Sequence, residues 1–448
     1  SMSKSNQTRK KSSVRHTRAI QQNRSKHPLA APSDEAVKER MQEIVHPATL
    51  AQVSHFHHLG LRERTLGLVV MVAFVLEMIW RQIGGVSELA RVVQKEAVFW
   101  EQPRKVSQQA LSLRLSSLPS ELFLKVLQTV LPVMRTRWFK RDRPLPPELA
   151  WAAERYRGIY LADGSTLDAL IRKMGLLIDL PKNPLAGKMT ALLDLCTRLP
   201  EQLWYKNDPK AHDQRFWDDI LSALKAGSLL IFDKGYINFS IFIQLQQAKV
   251  KFITRSKSNL VYTMKRAIVR TAAVHDYLVW IGKDETQQLV RLIEIQYRGK
   301  WYRYMTNELD ETMLPTAYVV ALYWQRWRIE DAYAIVKRLL GLAYFWSGSQ
   351  NAVELQIWAT WLLYVVLVDL ADDIAEYLQL PFASISIEMV YRSIYFFTQA
   401  RQKGEAHNLV AFLAKEEKLF GIVKRKRKSD KPSPLEFVPN FLTEPAFP

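Results

Sequence analysis

Twice in this chain an apolar run too short for a helix stops at an aspartate, with a glycine just beyond. The first is Gly158-Ile159-Tyr160-Leu161-Ala162, ended by Asp163-Gly164. The second is Leu229-Leu230-Ile231-Phe232, ended by Asp233-Lys234-Gly235. Short apolar runs bounded by turn formers read as strands buried on both faces. Such strands need helices above and below them, so this part of the chain is predicted to form a layered α/β sheet. Both aspartates then lie at strand ends, where an α/β sheet displays its chemistry. An aspartate in that position is also an ordinary turn former, and the pair alone leaves both readings open.

The surrounding sequence extends the same layout. Residues 190–196 and 251–254 read as further strands, and 213–226 as a helix leading into the run at 229. From 256 to 314 the texture is mostly β, with candidate strands at 277–281, 288–297 and 301–305 and a turn at Arg298-Gly299. After Pro315 a long helix is predicted to about Leu340, stopped by Gly341, with more helix to about 402. On that helix Tyr323, Arg326, Glu330 and Lys337 fall within about 60° of one another at ~100° per residue. Leu322, Ile329, Val336 and Leu340 form a separate apolar stripe. A polar face of this kind also reads as a solvated surface, with Arg326 and Glu330 a normal four-residue ion pair.

Ahead of the sheet, residues 46–148 show apolar spacing of three and four, a helical pattern. Helix starts at Gly85-Val86-Ser87-Glu88 and at Val106-Ser107-Gln108-Gln109 resemble a helix-turn-helix, and a plain helical bundle fits equally well. Pro144, Pro146 and Pro147 mark a linker. Charge then narrows the partner. Lys and Arg number 63 against 44 Asp and Glu, a formal excess of 19. Eight of those charges lie in the acid-free residues 1–26 and five in Lys424-Arg425-Lys426-Arg427-Lys428. Such tracts are either solvated tails or clamps on a polyanion, nucleic acid before membrane. The apolar runs at 66–76 and 357–368 fall short of the ~20 residues a span needs and read as buried helices, so no membrane is expected. The lone Cys196 excludes an intramolecular disulfide and fits a reducing compartment.

The residues also resemble a known family. Tyr323-x-x-Arg326-x-x-x-Glu330-x-x-x-x-x-x-Lys337 matches the tyrosine–arginine–glutamate–lysine signature of the insertion-sequence-four family of bacterial DDE transposases. Phe232-Asp233-Lys234-Gly235-Tyr236 resembles its second-aspartate motif, with Lys234 where arginine is usual. Asp163-Gly164-Ser165-Thr166 resembles its first-aspartate motif, and His212-Asp213 and Thr306-Asn307 sit where the family commonly shows them. The resemblance spans about 157–370. It implies an RNase H-like mixed α/β sheet with helices on both faces, interrupted by a β-rich insertion and preceded by a helical N-terminal DNA-binding domain.

That resemblance implies a division into a basic disordered arm (1–45), a helical DNA-binding domain (46–148), a catalytic domain in two parts (149–255 and 315–402), a β-rich insertion (256–314) and a basic C-terminal tail (403–448). By the same resemblance Asp163, Asp233 and Glu330 are the metal ligands, for two Mg²⁺ or Mn²⁺ ions. Carboxylates and water suit those hard cations. Arg326, Lys337 and Tyr323 would contact DNA phosphate. Trp301 or Tyr302 would stack on an extruded base, with Trp327 a further DNA contact, although strand-face packing explains these aromatics too. The implied activity is cut-and-paste transposition through hairpin ends, by a homodimer on double-stranded DNA in the bacterial cytoplasm, associated with the nucleoid. The competing readings are a silent, domesticated DNA-binding protein and an RNase H-like nuclease of another role.

Overall fold

The computed structural model describes residues 34–62, 66–166, 188–206, 213–233, 235, 237–297, 299–326, 335–336 and 350–424. The expected arm at 1–26, the motif residues Lys234, Tyr236 and His212, and the side chains Trp327, Glu330 and Lys337 lie outside them, as does the basic run beyond Lys424.

Among the described residues seven helices precede the sheet: α1 (Glu35–Leu50), α2 (Val53–His58), α3 (Leu68–Trp80), α4 (Val86–Lys95), α5 (Gln108–Ser117), α6 (Ser120–Lys140) and α7 (Pro147–Arg155). The helical region therefore begins at 35 rather than 46. Val37, Met41, Ile44, Val45 and Ala48 give α1 a buried stripe, which makes the stretch 35–45 part of the core instead of an arm. The apolar run at 66–76 does form a buried helix, α3.

The sheet has nine strands among the described residues: β1 (Ile159–Thr166), β2 (Lys188–Asp194), β3 (Pro200–Lys206), β4 (Leu229–Phe232), β5 (Lys251–Arg255), β6 (Thr263–Arg270), β7 (Val274–Ile281), β8 (Gln288–Tyr297) and β9 (Lys300–Thr306). Their spatial order is β3-β2-β1-β4-β5-β9-β8-β7-β6. β1, β4 and β5 run parallel, and every other pair is antiparallel. This mixed α/β arrangement is consistent with an RNase H-like domain. The region expected as an insertion does not stand apart, because β9 pairs with β5 and continues the same sheet.

Two strands escaped the sequence reading, and both are edges. β3 opens on Pro200, at the first position of a strand, where a missing N–H is tolerated. β6 is exposed or half-exposed along its whole length, so no alternation marks it. Strand β2 ends at Asp194, short of the expected 196, because the Asp194 carboxylate accepts from the backbone N–H of Cys196 and Thr197 and turns the chain. Cys196 itself is half-buried against the core.

The two faces of the sheet carry different layers. Ile159, Leu161, Leu229, Ile231, Ile253, Ile293 and Tyr304 join the larger core, shared with the N-terminal helices. Ala162, Leu230, Phe232, Phe252, Val290 and Met305 face the opposite layer, made by α8 (Asp213–Ala223) and α9 (Phe239–Gln247). Successive strand residues alternate between these layers, as the pleat requires.

Helix α10 (residues 316–326) lies in the larger layer, as does α11 (Gln350–Leu378), which is followed by α12 (Ile387–Gln402), α13 (Leu409–Lys415) and α14 (Glu417–Phe420). The last two correct the expectation of a plain tail from 403: Phe412 and Phe420 pack there, with ring centroids 5.8 Å apart. Helix α11 is long and apolar enough to cross a membrane, yet its most apolar stretch is almost wholly buried, and the helix packs against α3, α6 and α13. The charges near its C-terminal end are neutralised internally. Arg40, Arg137 and Arg141 converge on Asp369, and Arg141 and Arg143 on Asp372, at 2.5–3.1 Å. Burial pushes the Asp369 carboxyl up, but the arginines outweigh it and hold the group below its usual range.

Candidate active site

The parallel pairing of β1 and β4 sets the site. Ile159, Tyr160 and Leu161 pair with Leu229, Leu230 and Ile231, each with the residue 70 positions on. Asp163 and Asp233 are related by the same offset, one on β1 and the other just past the end of β4. The β1–β4 pairing ends at Leu161 and Ile231, two residues before each aspartate, so the two lie just beyond the paired segment of neighbouring strands. Each aspartate follows residues of the larger core at the same parity, so both carboxylates belong to the face that α10 covers. Asp163 is half-buried, and the Asp233 side chain is 41% exposed.

Helix α10 delivers Arg326 to this pair. Its Nη2 donates to Oδ2 of Asp233 at 3.3 Å, and the guanidinium is 12% exposed. One turn earlier Tyr323 points inward rather than into a cleft: it is 1% exposed, and its buried hydroxyl has no hydrogen-bond partner. Burial pushes this phenol well above its ordinary value, with the Arg326 charge opposing and Asp233 adding to the shift. The sequence put Tyr323 on the polar face with Arg326. In the fold the Tyr304 ring, 5.4 Å away, covers it.

Tyr304 was not singled out from the sequence. It lies on β9, accepts a hydrogen bond from Trp324 Nε1 at 3.1 Å, and is pushed up to about 12 by burial. Strand β9 thus grips α10 through an aromatic pair and one polar contact. The alternation of Tyr302 and Tyr304 on one strand face was the available signal.

The two expected base-stacking rings part company. Trp301 and Tyr302 are consecutive on β9 and so face opposite layers. Tyr302 shares the face of Tyr304 and packs against the larger core, with Lys300 over its ring at 5.5 Å. Trp301 lies on the other face and stacks on His275, centroids 4.7 Å apart. The Thr306-Asn307 pair is structural. The buried Asn307 accepts from Phe252 N at 2.7 Å and donates to Val250 O at 3.1 Å, pinning the start of β5.

Residues 185–366 match the family model described as the transposase DDE domain. This part of the chain is similar to a transposase DDE domain. A protein named as a transposase in Sinorhizobium fredii is 28% identical over 156 residues, 32% of this chain and 43% of that protein. The protein named for insertion sequence element IS4SA in Synechocystis sp. is 21% identical over 163 residues, 35% of this chain and 46% of its own length. A third, named for element IS5377 in Geobacillus stearothermophilus, is 24% identical over 169 residues, 36% and 44%. The chain spans less than half the length of each. Together these comparisons support a DDE transposase.

The matched stretch contains Asp233, Tyr323, Arg326, Glu330 and Lys337 and starts after Asp163. Among the described residues no group of three or more His, Cys, Asp or Glu is arranged to hold a metal ion. The strand expected to stop at Asp163 runs on to Thr166 through its pairing with β2, so the described donors are one carboxylate within β1 and one just past β4, both hard and oxygen-only. That chemistry fits Mg²⁺ or Mn²⁺, which take few protein ligands and keep water.

Proposed function

We propose that this chain is a DDE transposase that cuts DNA at the ends of its insertion element and joins those ends to a target. The observation that carries this is the hydrogen bond of Arg326 of α10 to Asp233, which follows β4, the parallel neighbour of the strand that carries Asp163. Asp163, Asp233 and Glu330 would hold two divalent ions, Glu330 coming one turn after Arg326 if the helix continues. Bound ions of this kind activate an attacking hydroxyl and stabilise the leaving oxygen at phosphorus. The protein's own part is positioning. Strand β1 and the end of β4 fix the two aspartates, and Arg326 offsets the charge of Asp233 until DNA enters. With DNA bound, Arg326 contacts a phosphate, where Lys337 is a second cation.

Tyr323 acts from behind. Its ring is buried against Tyr304 and orients the helix face, and strand transfer proceeds without a protein–DNA bond, as the resemblance implies. Of the rings expected at an extruded base, Tyr302 shares the catalytic face and Trp301 does not, which favours Tyr302. Trp327, beside Arg326, is a further DNA contact. We take the reaction to be cut-and-paste through hairpin ends, by a dimer that pairs the two ends, in the bacterial cytoplasm at the nucleoid. The helices ahead of the sheet bind the element ends.

The test is cleavage of DNA carrying the element's own ends in Mg²⁺ or Mn²⁺. Asp163→Asn, Asp233→Asn and Glu330→Gln should each abolish nicking while leaving DNA binding in place. Variants that cut as well as the wild type would refute the assignment.

A further inference from the structure

Helices α4 and α5 are both present, but twelve residues (96–107) separate them, including the Val98–Glu101 bridge, so the connection is no tight helix-turn-helix. The connection is nonetheless fixed. Arg104 N donates to Val93 O at 2.8 Å, and Gln94 Nε2 donates to Val106 O at 2.8 Å. Ser107 then caps α5, its Oγ accepting from Ala110 N at 3.1 Å. A ten-residue helix is thereby held at a set angle to its neighbour.

One side of α5 anchors it through Leu111 and Leu115, both fully buried. The side facing away carries Gln109, Ser112, Leu113 and Ser116, which span about 100° of arc and are all exposed. Leu113 is 71% exposed. Arg114 is not on this stripe: its guanidinium lies 5.7 Å from the Phe56 ring and donates to Arg62 O. Residues 102–120 contain three cations (Arg104, Lys105 and Arg114) and no acid.

We propose that this outward stripe of α5 reads base edges in the major groove of double-stranded DNA. The inference rests on the transposase reading and names the surface that would give it sequence preference. An amide, a hydroxyl and a single apolar side chain in one row match the groove's donors, acceptors and thymine methyl. The stripe itself carries no carboxylate, the flanking Glu101 being paired with Arg104 at 3.2 Å and Glu121 lying 3.0 Å from His55, and Lys105 stands at the entrance to the helix as a phosphate contact. From Gln109 to Ser116 the helix rises about 10 Å, roughly three base steps. A protein partner would call for a broader apolar patch than one leucine among polar neighbours.

The experiment is selection from a pool of random-sequence duplexes, using the full chain, in parallel with a Gln109→Ala/Ser112→Ala/Leu113→Ala variant. The wild type should enrich a motif. The variant should lose about three adjacent positions of it and bind the motif at least tenfold more weakly. Its affinity for a scrambled duplex should stay within about threefold. Lys105→Ala should weaken both duplexes alike and lower the salt slope by about one. All three stripe side chains are exposed, and an unchanged melting temperature would verify the fold. Recovery of the same motif by the triple variant would overturn the proposal. So would a wild type that enriches none, or a variant whose only change is in oligomeric state. Metal-dependent nicking of a plasmid by the same preparations, compared with Asp233→Asn, separates failure of the α5 assignment from failure of the transposase reading.

Discussion

Arg291 is buried without any exposed surface, inside the sheet, and it ties the outer strands to the helix that carries Arg326. Its Nε and Nη2 donate to the two oxygens of the equally buried Asp276, at 3.2 and 2.6 Å. Its Nη1 donates to the backbone carbonyls of Glu308 and Leu314, at 3.1 and 2.8 Å. Thr316, at the start of α10, donates to Asp276 at 2.7 Å. Replacing Arg291 by methionine keeps much of the volume and removes all four of its bonds. Asp276 would be left as a buried carboxylate with one hydroxyl donor from a side chain, and two carbonyls would lose their side-chain partner. Breaking one member of a buried pair costs about 3–5 kcal/mol, a large share of a total stability of about 5–15 kcal/mol. Removing both charges, in Asp276→Leu/Arg291→Met, should cost less than the single change, since no buried charge remains. Urea unfolding followed by tryptophan fluorescence gives both numbers, and the double-mutant cycle gives a coupling of at least ~2 kcal/mol. A single variant that loses under ~1 kcal/mol, or a double variant no better than the single, would refute the reasoning.

Three further outcomes follow from particular contacts. Tyr304→Phe removes the acceptor for Trp324 Nε1 and should cost about 1 kcal/mol, read as a lower urea midpoint at constant slope; an unchanged midpoint would show that the bond contributes nothing. Gly282 sits at φ +76°, and a Cβ there would approach Thr286 O to 2.3 Å, so Gly282→Ala should lower stability by about 1–3 kcal/mol; a neutral effect in a thermal melt would contradict that geometry. Glu77 is buried and held well above its usual carboxyl range, first by burial and then by Asp34, with Arg81 opposing. Its folded pKa being raised, it contributes stability that is fully present below about pH 4.3 and is lost as pH rises through the folded value. Glu77→Gln should therefore flatten the alkaline side of the stability–pH curve, and an unaltered curve would exclude this source.

Much of the central sheet was legible in short runs of residues. The strands at 159 and 229 announced themselves because a strand buried on both faces has to be apolar throughout, and Asp163 and Asp233 stood out because they interrupt that rule. The edge strands β3 and β6 were illegible for the same reason: an edge is half solvated, so composition does not select it. Helical periodicity placed Arg326 and Tyr323 on one side of a helix, which is a statement about angle and not about what the angle faces.

What the sequence determined by itself was local: which runs are apolar, where they stop, and that the chain bears excess positive charge on short tracts. The equal 70-residue offset of the β1–β4 register and of the two aspartates is written in the chain, but it acquires meaning only when those strands pair in parallel. Tertiary structure alone decided that Tyr323 is covered by Tyr304, that Trp301 and Tyr302 serve opposite layers, and that Arg114 is occupied by Phe56. Burial, strand pairing and the choice of face depend on residues far apart in the chain, and no window along the sequence contains both partners.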